Sequence, residues 1–293
     1  MKIKKLISVI LIAITVLCTS GCDQYFSDNA NTQTDGSTLM IHYLDVGQGD
    51  SIFIELPQKK SMLIDASTGA YGEGIADYIE DKGYSKIDYL VATHPHADHI
   101  GGMEDVVEEF EIGEIYMPKA STTTKTYKNL LTAIKKKGNK INTAKAGVSI
   151  YSGSGINIQI LAPNSTSYED LNNYSVVIKL TYGKKSFLFM GDAEMLSEDE
   201  ITADISADIL KVGHHGSSTS TSEDFINRVN PEYAVISCGK DNSYGHPHKE
   251  TMATLKKCDV EVLRTDTMGT IIATTDGTDL EITKDNKSIE ADD

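Results

Sequence analysis

Thr93-His94-Pro95-His96-Ala97-Asp98-His99-Ile100-Gly101-Gly102 gathers three histidines and one carboxylate into six positions, directly after the apolar run Tyr89-Leu90-Val91-Ala92. The apolar run reads as a short buried strand, so the polar cluster sits on the loop at its end. Imidazole nitrogen and carboxylate oxygen are the donors that borderline divalent ions such as zinc accept, and a rigid strand end can converge them on one point. His94 and His96 suit one ion, Asp98 and His99 a second. Gly101 and Gly102 then allow a tight turn into a helix over Met103 to Phe110. A solvated polar loop is the bland alternative, and clustered histidine argues against it.

The pattern His94-x-His96-x-Asp98-His99 resembles the signature of the metallo-beta-lactamase superfamily of metallohydrolases. Leu44-Asp45-Val46-Gly47-Gln48-Gly49-Asp50-Ser51, Leu63-Ile64-Asp65, Met190-Gly191-Asp192-Ala193-Glu194, Leu210 to Ser217 and Tyr244-Gly245-His246-Pro247-His248 follow in the order seen in one branch. That branch is the soluble nuclease-like domain of ComEC competence proteins, and the resemblance runs from about Leu39 to Thr283. It implies a four-layer αββα sandwich, with two divalent ions along one edge between the sheets.

The strand pattern is compatible with that fold. Leu39 to Leu44, Ser51 to Leu56 and Ser61 to Ile64 make an antiparallel start, and helical patterns at Gly74 to Lys82, Met103 to Phe110 and Lys125 to Lys137 interleave with strands at Tyr89 to Ala92 and Ile112 to Met117. Strands return at Ile156 to Leu161 and in a hairpin of Ser175 to Thr181 with Ser186 to Met190. Alternating strand and helix units then run to Arg264. Strand-rich and helix-rich stretches alternate twice, which predicts an α/β (α+β) fold of two face-packed sheets with helices outside. One domain is expected over 39–285, with an acidic tail over 286–293.

Of the 8 histidines, seven fall in three places: the first loop, His214-His215 and His246-Pro247-His248. His42, in an alternating strand, reads as an ordinary strand side chain. Asp192 ends the run Phe187 to Met190; the resemblance makes it a bridge between two ions, and its alternative is a helix N-cap. By similarity one of His214 and His215 completes the second ion's shell. Neighbours on an extended segment point opposite ways, so the other is left for substrate or a ligand, and His214 is the preferred ligand. Ser217 is a candidate phosphate donor. Many superfamily members carry another histidine ligand before the strand that here starts at Ser175; this chain has Asn172-Asn173, and Asn173 is expected to face the first ion or hold a water. His246 and His248 suit substrate contact or leaving-group protonation, with His248 the preferred acid beside Asp98. Asp45, Gln48, Asp50 and Asp65 are expected to orient ligands, the alternative being turn carboxylates.

Lys and Arg total 27 against 43 for Asp and Glu, a net charge of −16. That sign opposes loose phosphate binding, so a nucleic-acid substrate has to be held by metal charge and local donors, which favours short or single-stranded DNA or nucleotides. Lys2, Lys4 and Lys5 precede the apolar run Leu6 to Leu17 and Thr19-Ser20-Gly21-Cys22, the layout of a secretory signal peptide over 1–21. Cys22 resembles the lipidated cysteine of a bacterial lipoprotein, although Thr19 stands where leucine is usual; ordinary cleavage and an uncleaved anchor are the alternatives. Residues 22–38 then form a polar tether. Each alternative places the domain outside the cytoplasmic membrane, and with lipidation it is held there by its lipid. Losing residues 1–21, which carry three lysines and no acid, takes −16 to −19. Cys238 and Cys258 are expected as free thiols in preference to a disulfide.

The expected activity is hydrolysis of phosphodiesters by a metal-activated water, with zinc the better match to the donors and manganese the other choice. Its rivals are a lactone, thioester or β-lactam hydrolase on the same fold, and a non-catalytic surface lipoprotein that binds metal or DNA. The sequence points to no protein partner.

Overall fold

The computed structural model describes residues 37–291; the expected signal segment, Cys22 and most of the expected tether lie outside them. The chain opens with β1 (Leu39–Tyr43), β2 (Ser51–Leu56) and β3 (Lys60–Ala66). There follow α1 (Gly72–Asp81), β4 (Lys86–Val91), α2 (Ala97–Ile100), α3 (Met103–Glu109), β5 (Glu111–Met117), α4 (Lys125–Lys137) and β6 (Ile141–Thr143). The second half holds β7 (Ser149–Gly153), β8 (Ile156–Ala162), β9 (Val177–Tyr182), β10 (Lys185–Phe189), α5 (Met195–Glu200), β11 (Ile209–Lys211), α6 (Glu223–Val229), β12 (Tyr233–Ile236), α7 (Lys249–Lys257), β13 (Glu261–Arg264), α8 (Thr265–Met268), β14 (Thr270–Thr275) and β15 (Leu280–Asp285).

Two sheets result, ordered β15-β14-β1-β2-β3-β4-β5-β6 and β13-β12-β11-β10-β9-β8-β7. Alternation along each strand sends side chains to two different layers, and both layers are apolar. Leu39, Ile41 and Tyr43 of β1 meet Phe187 and Phe189 of β10 in the core between the sheets. Phe53 and Leu63 face the other way, onto Ile75 and Ile79 of α1, Val106 of α3 and Ile134 of α4. On the far side Leu188 and Leu210 pack with Phe225 of α6 and Leu255 of α7. These are the four layers αββα. Thr124 caps α4 by accepting from Tyr127 N–H, and Ser222 caps α6 by accepting from Phe225 N–H.

The carboxyl half of each sheet's strands sets up the site. β3, β4, β5 and β6 pair parallel, and so do β10, β11, β12 and β13. Their carboxyl ends open on one edge, where loops are free to carry chemistry.

Three details differ from the sequence reading. Gly101 and Gly102 are not needed for an unusual turn, since Gly101 is right-handed helical at φ −60°. They are needed for close approach: a Cβ on Gly101 would lie 2.4 Å from Gly69 N, and one on Gly102 2.6 Å from Ala66 O. The final hairpin β14–β15 closes the first sheet against β1 and was not anticipated. Residues 286–291 do not leave the fold as a tail, because Ile289 is buried with the α1 side of the core. His42 is an inward strand residue held by Tyr78 Oη at 2.9 Å and Glu55 at 3.0 Å. Cys238 and Cys258 are free thiols.

Phe187 is fully buried at the centre of the inter-sheet layer. Phe187→Ala should therefore cost about 3–5 kcal/mol, read as a lower urea midpoint at unchanged slope; a loss below ~1 kcal/mol would contradict this packing.

Candidate metal centre

Four strand ends and the β1–β2 loop converge at the open edge. The His94–His99 loop follows β4, Asp65 closes β3, Asp192 follows β10, and His214 and His215 follow β11. Gly49 lets the β1–β2 loop reach this edge. Its φ is +156°, and a Cβ there would lie 2.5 Å from Asp98 O, which accepts from Asp50 N–H at 3.1 Å.

Each buried histidine is pinned through Nδ1. His99 donates to Asp65 Oδ2 at 2.8 Å, and His215 to Ser237 O at 3.1 Å with Asp50 Oδ1 at 3.3 Å. His94 Nδ1 lies 3.1 Å from Thr93 Oγ1 and 3.3 Å from Ser175 Oγ. Thr93 itself donates to Asp65 through N–H at 2.8 Å and Oγ1 at 2.6 Å, so Asp65 holds both the strand end and the His99 ring. With Nδ1–H spent outward, the Nε2 lone pairs turn inward. This is how the residues behind metal-ligating histidines fix the tautomer.

What the inward atoms meet is each other. One ligand atom from each of Asp98, His99, Asp192 and His215 lies within 4.8 Å of the others. His99 Nε2 is 3.2 Å and His215 Nε2 3.5 Å from Asp192 Oδ1, yet none of these three buried atoms makes a hydrogen bond. Buried polar atoms are normally paired, so such a convergent set fits a cation at their common point. On the other side of Asp192, His94 Nε2 is 3.8 Å from Oδ2 and 3.0 Å from His96 Nδ1. Nitrogens on a 2.0–2.1 Å coordination sphere sit roughly 3.3 Å apart at the tetrahedral angle. The residues thus fit two ions: His94, His96 and Asp192 for one, Asp98, His99, His215 and Asp192 for the other. Asp192 does not cap α5, whose N-cap position is Glu194.

The charges follow the same logic. Burial alone would raise the Asp192 carboxyl, but His99, His215 and His94 facing it hold it well below the ordinary carboxylate range. Burial likewise opposes protonation of His215, and Asp192 and Asp50 overcome it, lifting His215 to about 10. His99, between Asp192 and Asp65, is held well above its ordinary value for the same reason. Behind Asp50 lies a fully buried cation, Lys211, whose Nζ donates to Asp50 Oδ2 at 2.9 Å. Lys211, Thr93, Ser175 and the Ser237 carbonyl were not singled out from sequence. A lysine inside an otherwise apolar strand was the available signal for the first.

Other expected residues are placed differently. The tandem histidines adopt left-handed backbone angles, φ 48° at His214 and 52° at His215, in place of an extended segment. His215 is the buried one of the pair, with Nε2 3.5 Å from Asp192 Oδ1, the position expected for His214. His214 lines the cavity, with Nδ1 3.1 Å from Thr219 Oγ1 and Nε2 3.8 Å from Asp192. Asn173 does not face the ions: it donates to Glu194 Oε2 at 3.0 Å, and its neighbour Asn172 lines the cavity with Oδ1 unpartnered. Ser217 is buried outside the cavity lining, and its hydroxyl lies 3.1 Å from Thr219 Oγ1. His248 has both ring nitrogens tied, Nδ1 accepting from Ser218 N–H at 3.0 Å and Nε2 meeting Tyr244 O at 3.2 Å. It does not line the cavity, whereas His246 does, with Nδ1 free. Gln48 lines the cavity and accepts from Gly239 N–H at 3.1 Å. Asp45 binds Thr270 through its backbone and accepts from Gly47, the turn-carboxylate alternative.

Metal requires neutral imidazole, but His99 and His215 hold protons in the free protein. Ion binding therefore expels protons, and affinity rises as pH rises. From pH 6 to 8 the association constant for zinc should climb roughly tenfold to a hundredfold per pH unit, with proton release visible as a buffer-dependent heat in calorimetry. A pH-independent affinity would contradict this charge arrangement.

The geometry agrees with the comparisons to known proteins. The model of the Metallo-beta-lactamase superfamily matches residues 44–240. ComE operon protein 3 of Bacillus subtilis (strain 168) is 34% identical over 251 residues, covering 79% of this chain and 32% of that protein. Recombination protein 2 of Haemophilus influenzae is 30% identical over 231 residues, covering 77% and 27%. The chain thus spans about a third of the length of the curated relatives it matches. CmlA, a diiron beta-hydroxylase from Streptomyces venezuelae, shares the fold, with a TM-score of 0.55 at 12% identity over 81% of this chain and 54% of that one. The chain belongs to the metallo-beta-lactamase superfamily, within its ComEC-like branch.

Proposed function

We propose that this superfamily hydrolase is a phosphodiesterase acting on single-stranded DNA or nucleotides outside the cytoplasmic membrane. The observation that carries the reading is Asp192: its Oδ1 and the His99 and His215 Nε2 atoms facing it are buried with no hydrogen-bond partner, and its Oδ2 faces His94. A pair of divalent ions there supplies Lewis acidity, a water acidified toward neutral pH and charge neutralisation for a departing oxygen, and zinc or manganese fits the donors.

The protein's own groups complete the chemistry. Asp98, 33% exposed at its side chain, is the more open of the two ligand carboxylates that line the cavity and sits where it can orient a water or take its proton. Burial first, then the charge on His215, pushes His246 down to about 4, so it stays neutral at pH 7 and suits hydrogen bonding to a phosphoryl oxygen. The cavity holds about 340 Å³, room for a diester and its flanking groups. Tyr244 stands at its rim, 64% exposed, with its ring stacked on His246. An exposed aromatic face beside a phosphate site favours nucleotides over plain diesters, because bases stack on it. The likeness to Recombination protein 2, named for recombination, supports a DNA substrate.

Metal-loaded protein should hydrolyse bis(p-nitrophenyl) phosphate, and Asp192→Asn should lower kcat/KM at least about 100-fold. Turnover confined to lactones, thioesters or β-lactams would overturn the phosphodiesterase reading, and an Asp192→Asn variant that keeps its biological role would point to a binding protein.

The leader supports anchorage through a lipidated Cys22. Cys22→Ala should release the protein from the membrane fraction and abolish metabolic labelling with a tritiated fatty acid. Unchanged labelling would refute the anchor.

A further inference from the structure

Beside the metal cavity lies a second one of about 330 Å³, lined by Lys119, Thr143, Lys145, Asn164, Ser165 and Tyr174 among others. Topology fixes its place. Lys119 comes two residues after β5 ends and Lys145 two residues after β6 ends. These strands continue the parallel run from β4, whose end carries the histidine loop. At roughly 4.8 Å per strand, the two lysines stand about 5 and 10 Å along the same sheet edge from that loop. One turn separates the cavities: Asn172 lines the metal side and Tyr174, two residues on, lines the other. The far wall is tied down by backbone bonds from Ala144 N–H to Met117 O at 2.8 Å and from Ala146 N–H to Pro163 O at 3.0 Å, so the cavity is a built feature of three loops.

Its charge is opposite to that of the molecule. In a chain of net charge −16, both lysines are exposed, and among the described residues neither has a carboxylate within ion-pair distance. Lysine ammonium groups offer three donors each and no acceptor, and the hydroxyl of Thr143 adds to them. We infer that this cavity is a phosphate subsite, taking a backbone phosphate that flanks the scissile one in a single-stranded oligonucleotide. It deepens the phosphodiesterase reading and explains how an acidic protein holds a polyanion: cationic donors are local and stand in line with the metal centre.

The test is equilibrium binding of a fluorescent, hydrolysis-resistant phosphorothioate oligothymidylate to metal-loaded protein, wild type against Lys119→Gln/Lys145→Gln. The double variant should bind about tenfold more weakly at low salt. The slope of log affinity on log salt should fall by roughly 1.4, two phosphate contacts at 0.7 each for single strands. Hydrolysis of bis(p-nitrophenyl) phosphate, which has no flanking phosphate, should be unchanged. Equal affinity and equal salt slope, or no binding by the wild type, would overturn the subsite. Failure of the wild type to hydrolyse the small diester, with the binding difference intact, would instead count against the phosphodiesterase reading alone.

Discussion

Everything at the open edge of this sandwich answers to one electrostatic constraint: Asp192 Oδ1 and the inward nitrogens of His99 and His215 are buried together with no hydrogen-bond partner. Taking such groups out of water is costly unless a counter-charge joins them. Without an ion, the imidazoles answer by holding protons against their own burial. With ions present, those protons are no longer needed. The surrounding residues exist to keep the set in position: Asp65 behind His99, Asp50 behind His215, Lys211 behind Asp50, Ser175 between His94 and Asp192.

The fold makes the convergence possible. Two parallel half-sheets end on a common edge, so residues separated by more than a hundred positions, such as His99 and His215, arrive with ring centroids 5.3 Å apart. Close approach of loops matters as much as the strands. Gly49, Gly101 and Gly102 stand where any Cβ would collide with the backbone of a neighbouring loop. The same edge continues from the histidines past Lys119 to Lys145.

The sequence made the histidine loop legible because imidazoles are scarce and clustering them has few other uses. The inter-sheet strands were legible from alternation, and the two-halves layout from the order of strand and helix patterns. Residue-level roles near turns were not. Whether His214 or His215 is buried depends on two successive left-handed residues, a conformation no local pattern announces. Asn172 and Asn173 exchange roles through the phase of one short turn, a matter of a single residue. Ser217 and His248 have the right chemistry but spend it on Thr219, Ser218 and Tyr244, which only tertiary packing decides. The closing hairpin was missed although Asp276-Gly277 between Ile271 and Leu280 is a turn signal. Ile289, one apolar residue in a polar stretch, gave too little pattern to reveal that the segment packs on α1.

The central claim is that Asp192 stands between two cations. An anomalous difference map from crystals grown with manganese, recorded above its absorption edge, measures this directly. The account predicts two peaks roughly 3.5–4 Å apart, one beside His94 and His96 and one beside Asp98, His99 and His215, with Asp192 touching both. A map with no peak there, or with its peaks elsewhere in the molecule, would contradict it.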